Sequence, residues 1–151
     1  MDHFDPKSEM QTFCEQCKSL GLAVTVQRRA VFQALMESME HPSADTIYEK
    51  VVRHFPNVSR TSVYRILDTF SRHGLVRKVD HPDAATRYDA FIRPHHHAVC
   101  ISCGMIIDVP FSPEDKAFLQ RVHQNMEGFA VNDFSVTFQG VCRKCQTSAD
   151  H

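Results

Sequence analysis

No apolar run in this chain approaches the ~20 residues that a membrane-spanning helix requires. The first ten residues, Met1 to Met10, are polar and acidic. They lack the basic start and apolar stretch of a secretory leader. A cytoplasmic, reducing compartment is therefore expected, with no membrane partner. In that setting the six cysteines read as metal ligands or packed thiols before they read as disulfides. Glycine is scarce, at five residues, so each one is informative: Gly74 suits a helix stop and Gly104 a tight turn. Internal repeats and low-complexity tracts are absent, which excludes solenoid and linker-rich architectures. A large net charge is absent too, since 17 basic residues face 18 acidic ones.

That balance hides an uneven distribution. Between Arg53 and Lys78 six basic residues stand against one acid, Asp68; from Asp108 onward four basic residues face six acids. A local basic stripe is what phosphate binding needs, and overall charge is a poor guide to it. The same stripe could equally be a solvated helix face.

At 151 residues the chain fits one compact domain or two small ones. Apolar spacing predicts helices over about Ser8–Leu20, Gln27–Met39, Ala44–His54 and Arg60–His73. Ser43 is the expected N-cap of the third. Short strands follow, Leu75–Val79 and Thr86–Ala90, around a turn at His81-Pro82-Asp83. Helix, turn, helix and hairpin is the order of a winged helix-turn-helix, with Arg60–His73 as its reading helix. Phe91–Pro94 looks like a hinge. Beyond it the pattern predicts strands at His97–Ile101 and Met105–Val109, a helix at Pro113–Met126 and a strand at Ala130–Gln139. The expected fold is α+β. A winged-helix DNA-binding domain spans 1–90, a hinge spans 91–96, and an α/β domain spans 97–151.

Two Cys-x-x-Cys motifs carry the strongest chemical signal, Cys100/Cys103 and Cys142/Cys145. Four thiolates complete a tetrahedral zinc site with no open position, so such a site is structural. The 38 residues between Cys103 and Cys142 hold strand, helix and strand, which lets the two turns meet. A third pair, Cys14 and Cys17, falls on the apolar stripe of the first helix with Met10, Phe13 and Leu20. There it reads as packed sulfur, because no further pair remains to complete a site.

A harder set of donors lies upstream: Asp89, His95, His96, His97 and Asp108, with His41 far away in sequence. On an extended segment His95 and His97 share a face and His96 takes the other. From the residues alone the histidine run is either a metal site or a surface tract.

Several segments together resemble the ferric uptake regulator (Fur) family of bacterial metal-dependent repressors. They are His41-Pro42-Ser43-Ala44-Asp45-Thr46-Ile47-Tyr48, Ser62-Val63-Tyr64-Arg65, Arg87-Tyr88-Asp89, His95-His96-His97, Cys100-Ile101-Ser102-Cys103-Gly104, Asp108 and Cys142-Arg143-Lys144-Cys145. The resemblance covers nearly all of the chain after Gly21 and is closest to the peroxide-responsive repressor (PerR) branch. It implies a winged helix followed by an α/β dimerisation domain, and a homodimer on a double-stranded, inverted-repeat operator. It implies a regulatory metal, Fe(II) or Mn(II) with Zn(II) able to substitute, held by His41, Asp89, His95, His97 and Asp108. The two acidic positions, usually glutamate in iron sensors, are aspartate here, a marker of peroxide sensitivity. The resemblance further implies that Fe(II) reacts with hydrogen peroxide and that His41 or His95 is then oxidised. A third metal site of some iron sensors would need ligands near Pro94 and Phe134, which cannot coordinate, so His96 and His123 are assigned to no site.

Arg60, Thr61, Ser62, Tyr64 and Arg65 are the candidate DNA contacts. Tyr64 matches the family's base-contacting tyrosine, though by its position beside Val63 it could also be a core aromatic. Arg60 and Thr61 depart from the apolar and small residues common there, which puts base preference in question. Other readings compete: an iron, manganese or zinc availability sensor on the same scaffold, a metalloenzyme, or a DNA-binding module with structural zinc alone. Against the enzyme, the His-x-Glu and Pro-Cys-x-x-Cys pattern of zinc deaminases is absent. An oxygenase would also have no use for a basic helix-turn-helix.

Overall fold

The computed structural model describes residues 5–38, 41–83, 85–90, 93–131 and 133–148. The chain divides into two compact units, Met1–Ile92 and Arg93–His151. Among the described residues no helix is long and apolar enough to cross a membrane.

The first unit holds α1 (Pro6–Ser19), α2 (Val26–Met36), α3 (Ala44–His54), α4 (Arg60–Arg72) and the antiparallel hairpin β1 (Arg77–Val79) with β2 (Arg87–Asp89). Every helix start has a side-chain oxygen waiting for an otherwise unsatisfied backbone N–H. Asp5 accepts from Lys7 and Ser8, Thr25 from Arg28, Ser43 from Thr46 and Ser59 from Ser62. Helix α4 ends where expected. Gly74 takes φ of +69°, and the Leu75 N–H reaches back to the Phe70 carbonyl at 2.8 Å, closing the last turn.

Three phenylalanines knit the core. Phe13 stacks on Phe32 with centroids 4.0 Å apart, and Phe70 meets both edge-on. One aromatic from each of α1, α2 and α4 thus locks three helices together, at geometries favoured by ring quadrupoles. Cys17 is fully buried in this core and Cys14 packs against it. Burial pushes the Cys17 thiol up from its ordinary value. The packed-sulfur reading of this pair agrees with that placement.

The second unit holds β3 (His95–Cys100), β4 (Ile106–Pro110), α5 (Pro113–Asn125), β5 (Thr137–Gly140) and α6 (Arg143–Ser148). Strand β3 is central, antiparallel to β4 and parallel to β5. Helix α5 starts with a capping box: Ser112 accepts from the Asp115 N–H, and the Asp115 carboxylate accepts from the Ser112 N–H. This unit has little interior. No α5 residue is buried, and Ile107, Phe118, Phe129 and Phe138 are exposed.

Most element ends shift by a residue or two from the sequence expectation, and a few differences are larger. His95 and His96, expected on the hinge, are the first two residues of β3; all three consecutive histidines are buried there. The strand expected at Ala130–Gln139 pairs over Thr137–Gly140, and the Val136 N–H just before it goes to the His96 side chain and not to the ladder. Helix α6 carries no apolar stripe and was not anticipated. The second helix stops at Met36, and the expected end at Met39 lies outside the described residues, as do residues 91 and 92 of the expected hinge.

Candidate metal centres and nucleic-acid interface

The parallel pairing of β3 with β5 brings the C-terminal ends of both strands to one edge of the sheet. Cys100 stands opposite Gly140, and the Ile101 N–H bonds the Gly140 carbonyl at 2.8 Å. The two Cys-x-x-Cys turns leave the sheet side by side. Gly104 takes φ of +75° and donates to the Cys100 carbonyl at 2.9 Å, closing the first turn in a conformation that favours glycine. Cys142 precedes α6, whose first turn carries Cys145. The four sulfurs lie within 4.8 Å of one another, and Cys103 Sγ is 3.8 Å from Cys142 Sγ. Zinc–sulfur bonds of ~2.3 Å give a tetrahedral edge of ~3.8 Å, so the quartet fits zinc.

The thiols are not equivalent. The Cys142 N–H, donating to Cys100 Sγ at 3.3 Å, and then the Cys103 N–H hold the Cys100 thiol down at about 6. Cys145 is pushed up to about 12, first by hydrogen bonding with Cys142 and Cys103. Packed together without a cation, four sulfurs cannot all ionise; a divalent ion removes that conflict and displaces the protons.

The harder donors fall into two sets, one in each unit. In the second, His95 and His97 share one face of β3, and Asp108 on β4 stands opposite His97 in the register. His95 Nε2 is 3.0 Å from His97 Nε2, and Asp108 Oδ1 lies 3.7 Å from the first and 3.8 Å from the second. His95 Nδ1 sits 2.7 Å from the Arg93 carbonyl. A carbonyl only accepts, so Nδ1 carries the proton and Nε2 presents its lone pair inward. Two facing imidazole nitrogens at that distance need a proton or a cation between them. Metal–nitrogen bonds of ~2.1 Å separate ligands by ~3.0 Å at right angles but ~3.4 Å in a tetrahedron. The His95, His97 and Asp108 donor atoms lie close enough together to share one cation.

In the first unit, His41 Nε2 is 3.7 Å from Asp89 Oδ2. The Tyr88 N–H donates to the Pro42 carbonyl at 2.9 Å, and Ser43 bridges Arg87. These contacts hold the His41 loop along β2.

His96 points to the other face of the sheet. Its Nδ1 accepts from the Val136 N–H at 3.2 Å, and its Nε2 lies 3.3 Å from Asp115. Its ring packs near Phe111 and Phe134. It joins β3 to the α5 capping box, a role that spacing alone did not suggest.

On α4, Thr61, Tyr64 and Arg65 are exposed, while Ser62 is half-buried with its hydroxyl 2.9 Å from that of the N-cap Ser59. Tyr64 is 44% exposed, so it is no core aromatic. Arg60 and Tyr64 both reach one acid, Asp45, a pairing that the sequence alone did not suggest.

A winged helix in one unit and a thiol cage with a histidine–aspartate set in the other define a metal-dependent DNA-binding regulator. The ferric uptake regulator family model matches residues 19–139. The peroxide operon regulator of Bacillus subtilis is 34% identical over 143 residues, covering 95% of this chain and 97% of that protein. Among solved structures, the Campylobacter jejuni peroxide stress regulator superposes with a TM-score of 0.67 at 27% identity, over 94% of this chain and all (100%) of that one. The Helicobacter pylori ferric uptake regulator superposes at 0.73 with 24% identity, over 95% of each chain, and shares the fold. The chain belongs to the ferric uptake regulator family. It is a metal-dependent transcriptional repressor and not an enzyme.

Proposed function

We propose that this repressor senses hydrogen peroxide through one regulatory metal held by His41, Asp89, His95, His97 and Asp108. The observation that carries the reading is the facing pair of imidazole nitrogens 3.0 Å apart, with an aspartate opposite. Three imidazoles and two carboxylates form a mixed nitrogen–oxygen set that suits Fe(II) or Mn(II). Bound Fe(II) would supply the electrons that reduce peroxide and generate an oxidant able to add oxygen to an adjacent imidazole.

The chain's own residues do the rest. The Arg93 carbonyl fixes the His95 tautomer, so Nε2 would be the ligand atom and the adjacent ring carbon Cε1 the position where oxygen adds. His41 and Asp89 belong to the DNA-binding unit, and the other three to the dimerisation unit. Ligation of all five would tie the units into one orientation and set the spacing of two reading helices in a homodimer. Loss of His41 or His95 as a ligand would release that constraint and the operator, an inverted repeat, with it. Cys100, Cys103, Cys142 and Cys145 would hold a permanent structural zinc. The dimer is supported by the all-exposed edge strand β5, an unpaired edge ready for a second copy, and by the apolar side chains around it. A cytoplasmic location fits the reduced thiols these sites need.

The test is to load the dimer with Fe(II) or with Mn(II), add low peroxide, and follow operator binding and peptide mass. The Fe(II) form should lose DNA and gain oxygen on peptides containing His41 or His95, while the Mn(II) form resists. An Fe(II) form that keeps DNA and gains no oxygen would leave metal availability as the signal.

A further inference from the structure

Beside the N-terminal turn of α4 stands an acid from α3 that DNA binding does not call for. Asp45, in the first turn of α3, is 53% exposed on its side chain. Its carboxylate takes the Arg60 guanidinium and accepts the Tyr64 hydroxyl at 3.2 Å. The Arg60 guanidinium also lies over the Tyr48 ring, 4.6 Å from its centroid. Two candidate DNA contacts thus converge on one carboxylate, and one of them is clamped from a second side.

An exposed ion pair of this kind contributes little to stability, so folding does not explain it. A carboxylate beside a reading helix is also repelled by phosphate. Its effect is on what Arg60 can do. Paired, Arg60 brings almost no net charge to a phosphate, which removes one counterion-releasing contact from sequence-independent binding. The guanidinium remains planar and oriented, with a free edge suited to a base carrying two acceptors, such as guanine O6 and N7. Holding it beforehand lowers the entropy lost when that edge is read. Fixing the Tyr64 hydroxyl holds its ring in the same way.

We propose that Asp45 is a positioning residue for DNA specificity, withholding Arg60 from the phosphate backbone and orienting Arg60 and Tyr64 toward base edges. This rests on the DNA-binding reading above.

The experiment uses the full-length, Mn(II)-loaded dimer. Wild-type protein first selects a duplex from a random-sequence pool. That duplex and a scrambled duplex of equal length are then titrated at 50–200 mM salt, a range over which counterion release is resolved. Asp45→Asn and Asp45→Ala should bind the scrambled duplex ~10-fold more tightly, with a log–log salt slope steeper by about one per protomer. Binding to the selected duplex should change far less, so the specificity ratio falls. In an Arg60→Leu, Tyr64→Phe background, which lacks both partners of Asp45, the same Asp45 substitutions should leave the ratio unchanged. An unaltered ratio and slope in both single variants overturns the inference, as does an Asp45 effect on the ratio that survives the loss of both Arg60 and the Tyr64 hydroxyl. Wild-type protein that selects no duplex overturns the DNA-binding reading itself, and this inference with it.

Discussion

His97 on β3 and Asp108 on β4 face each other across the antiparallel ladder, with Nε2 of the first 3.8 Å from Oδ1 of the second. Directly opposed residues share a face and sit within side-chain reach, so the sheet places this pair without help from any loop. Asp108→Ala should weaken Mn(II) binding at least ~10-fold while leaving zinc content unchanged. Titration calorimetry with metal analysis on the same samples checks both halves.

The zinc quartet should behave in the opposite way. Cys145→Ser, or chelation of the native protein, is expected to loosen the second unit, whose helix α5 buries nothing. The first unit has its own aromatic core and should stay folded. Hydrogen-exchange mass spectrometry would show protection lost across 93–148 and kept in peptides containing Phe13, Phe32 and Phe70.

That core gives a third expectation. Phe13 is buried and touches both Phe32 and Phe70. Phe13→Ala should cost the first unit ~3–5 kcal/mol, read from urea denaturation, and should undock α1.

The wing turn has a pH signature. Asp83 accepts from the Ala85 N–H at 2.9 Å and from Arg87 at 2.6 Å. The Ala85 bond, then His81 and Arg87, holds its carboxyl below the ordinary value of 3.8. A depressed carboxylate stabilises the folded turn above that ordinary value, and the contribution is lost as pH falls through the lower, folded one. The Ala85 amide shift in an NMR titration should therefore move with a midpoint below 3.8, and Asp83→Asn should abolish the movement.

Much of this was legible before the fold. Ser43 announced a helix start because a capping oxygen is a local signal. The Cys-x-x-Cys pairs announced a metal site because ligand spacing within a turn is local too. What escaped was non-local. His95 and His96 looked like linker because three polar residues in a row break strand alternation, yet β3 buries them on both faces. Helix α6 escaped because it has no apolar stripe and follows directly from the Cys142 turn. The proximity of His41 to Asp89 depends on a backbone bond from Tyr88 to Pro42, and no spacing rule reports a contact across that many residues. The contacts of Asp45 escaped too, since its partners Arg60 and Tyr64 lie one helix further on.

The parallel register of β3 with β5 has a consequence for the order of synthesis. Two of the four thiols arrive with Cys100 and Cys103, and the other two only with Cys142 and Cys145, near the end of the chain. On the ribosome the winged helix can collapse around its phenylalanines long before the cage exists. A chain halted between Asp89 and Cys142 would carry the reading helix but no closed thiol cage, so zinc uptake would certify that synthesis had passed Cys145.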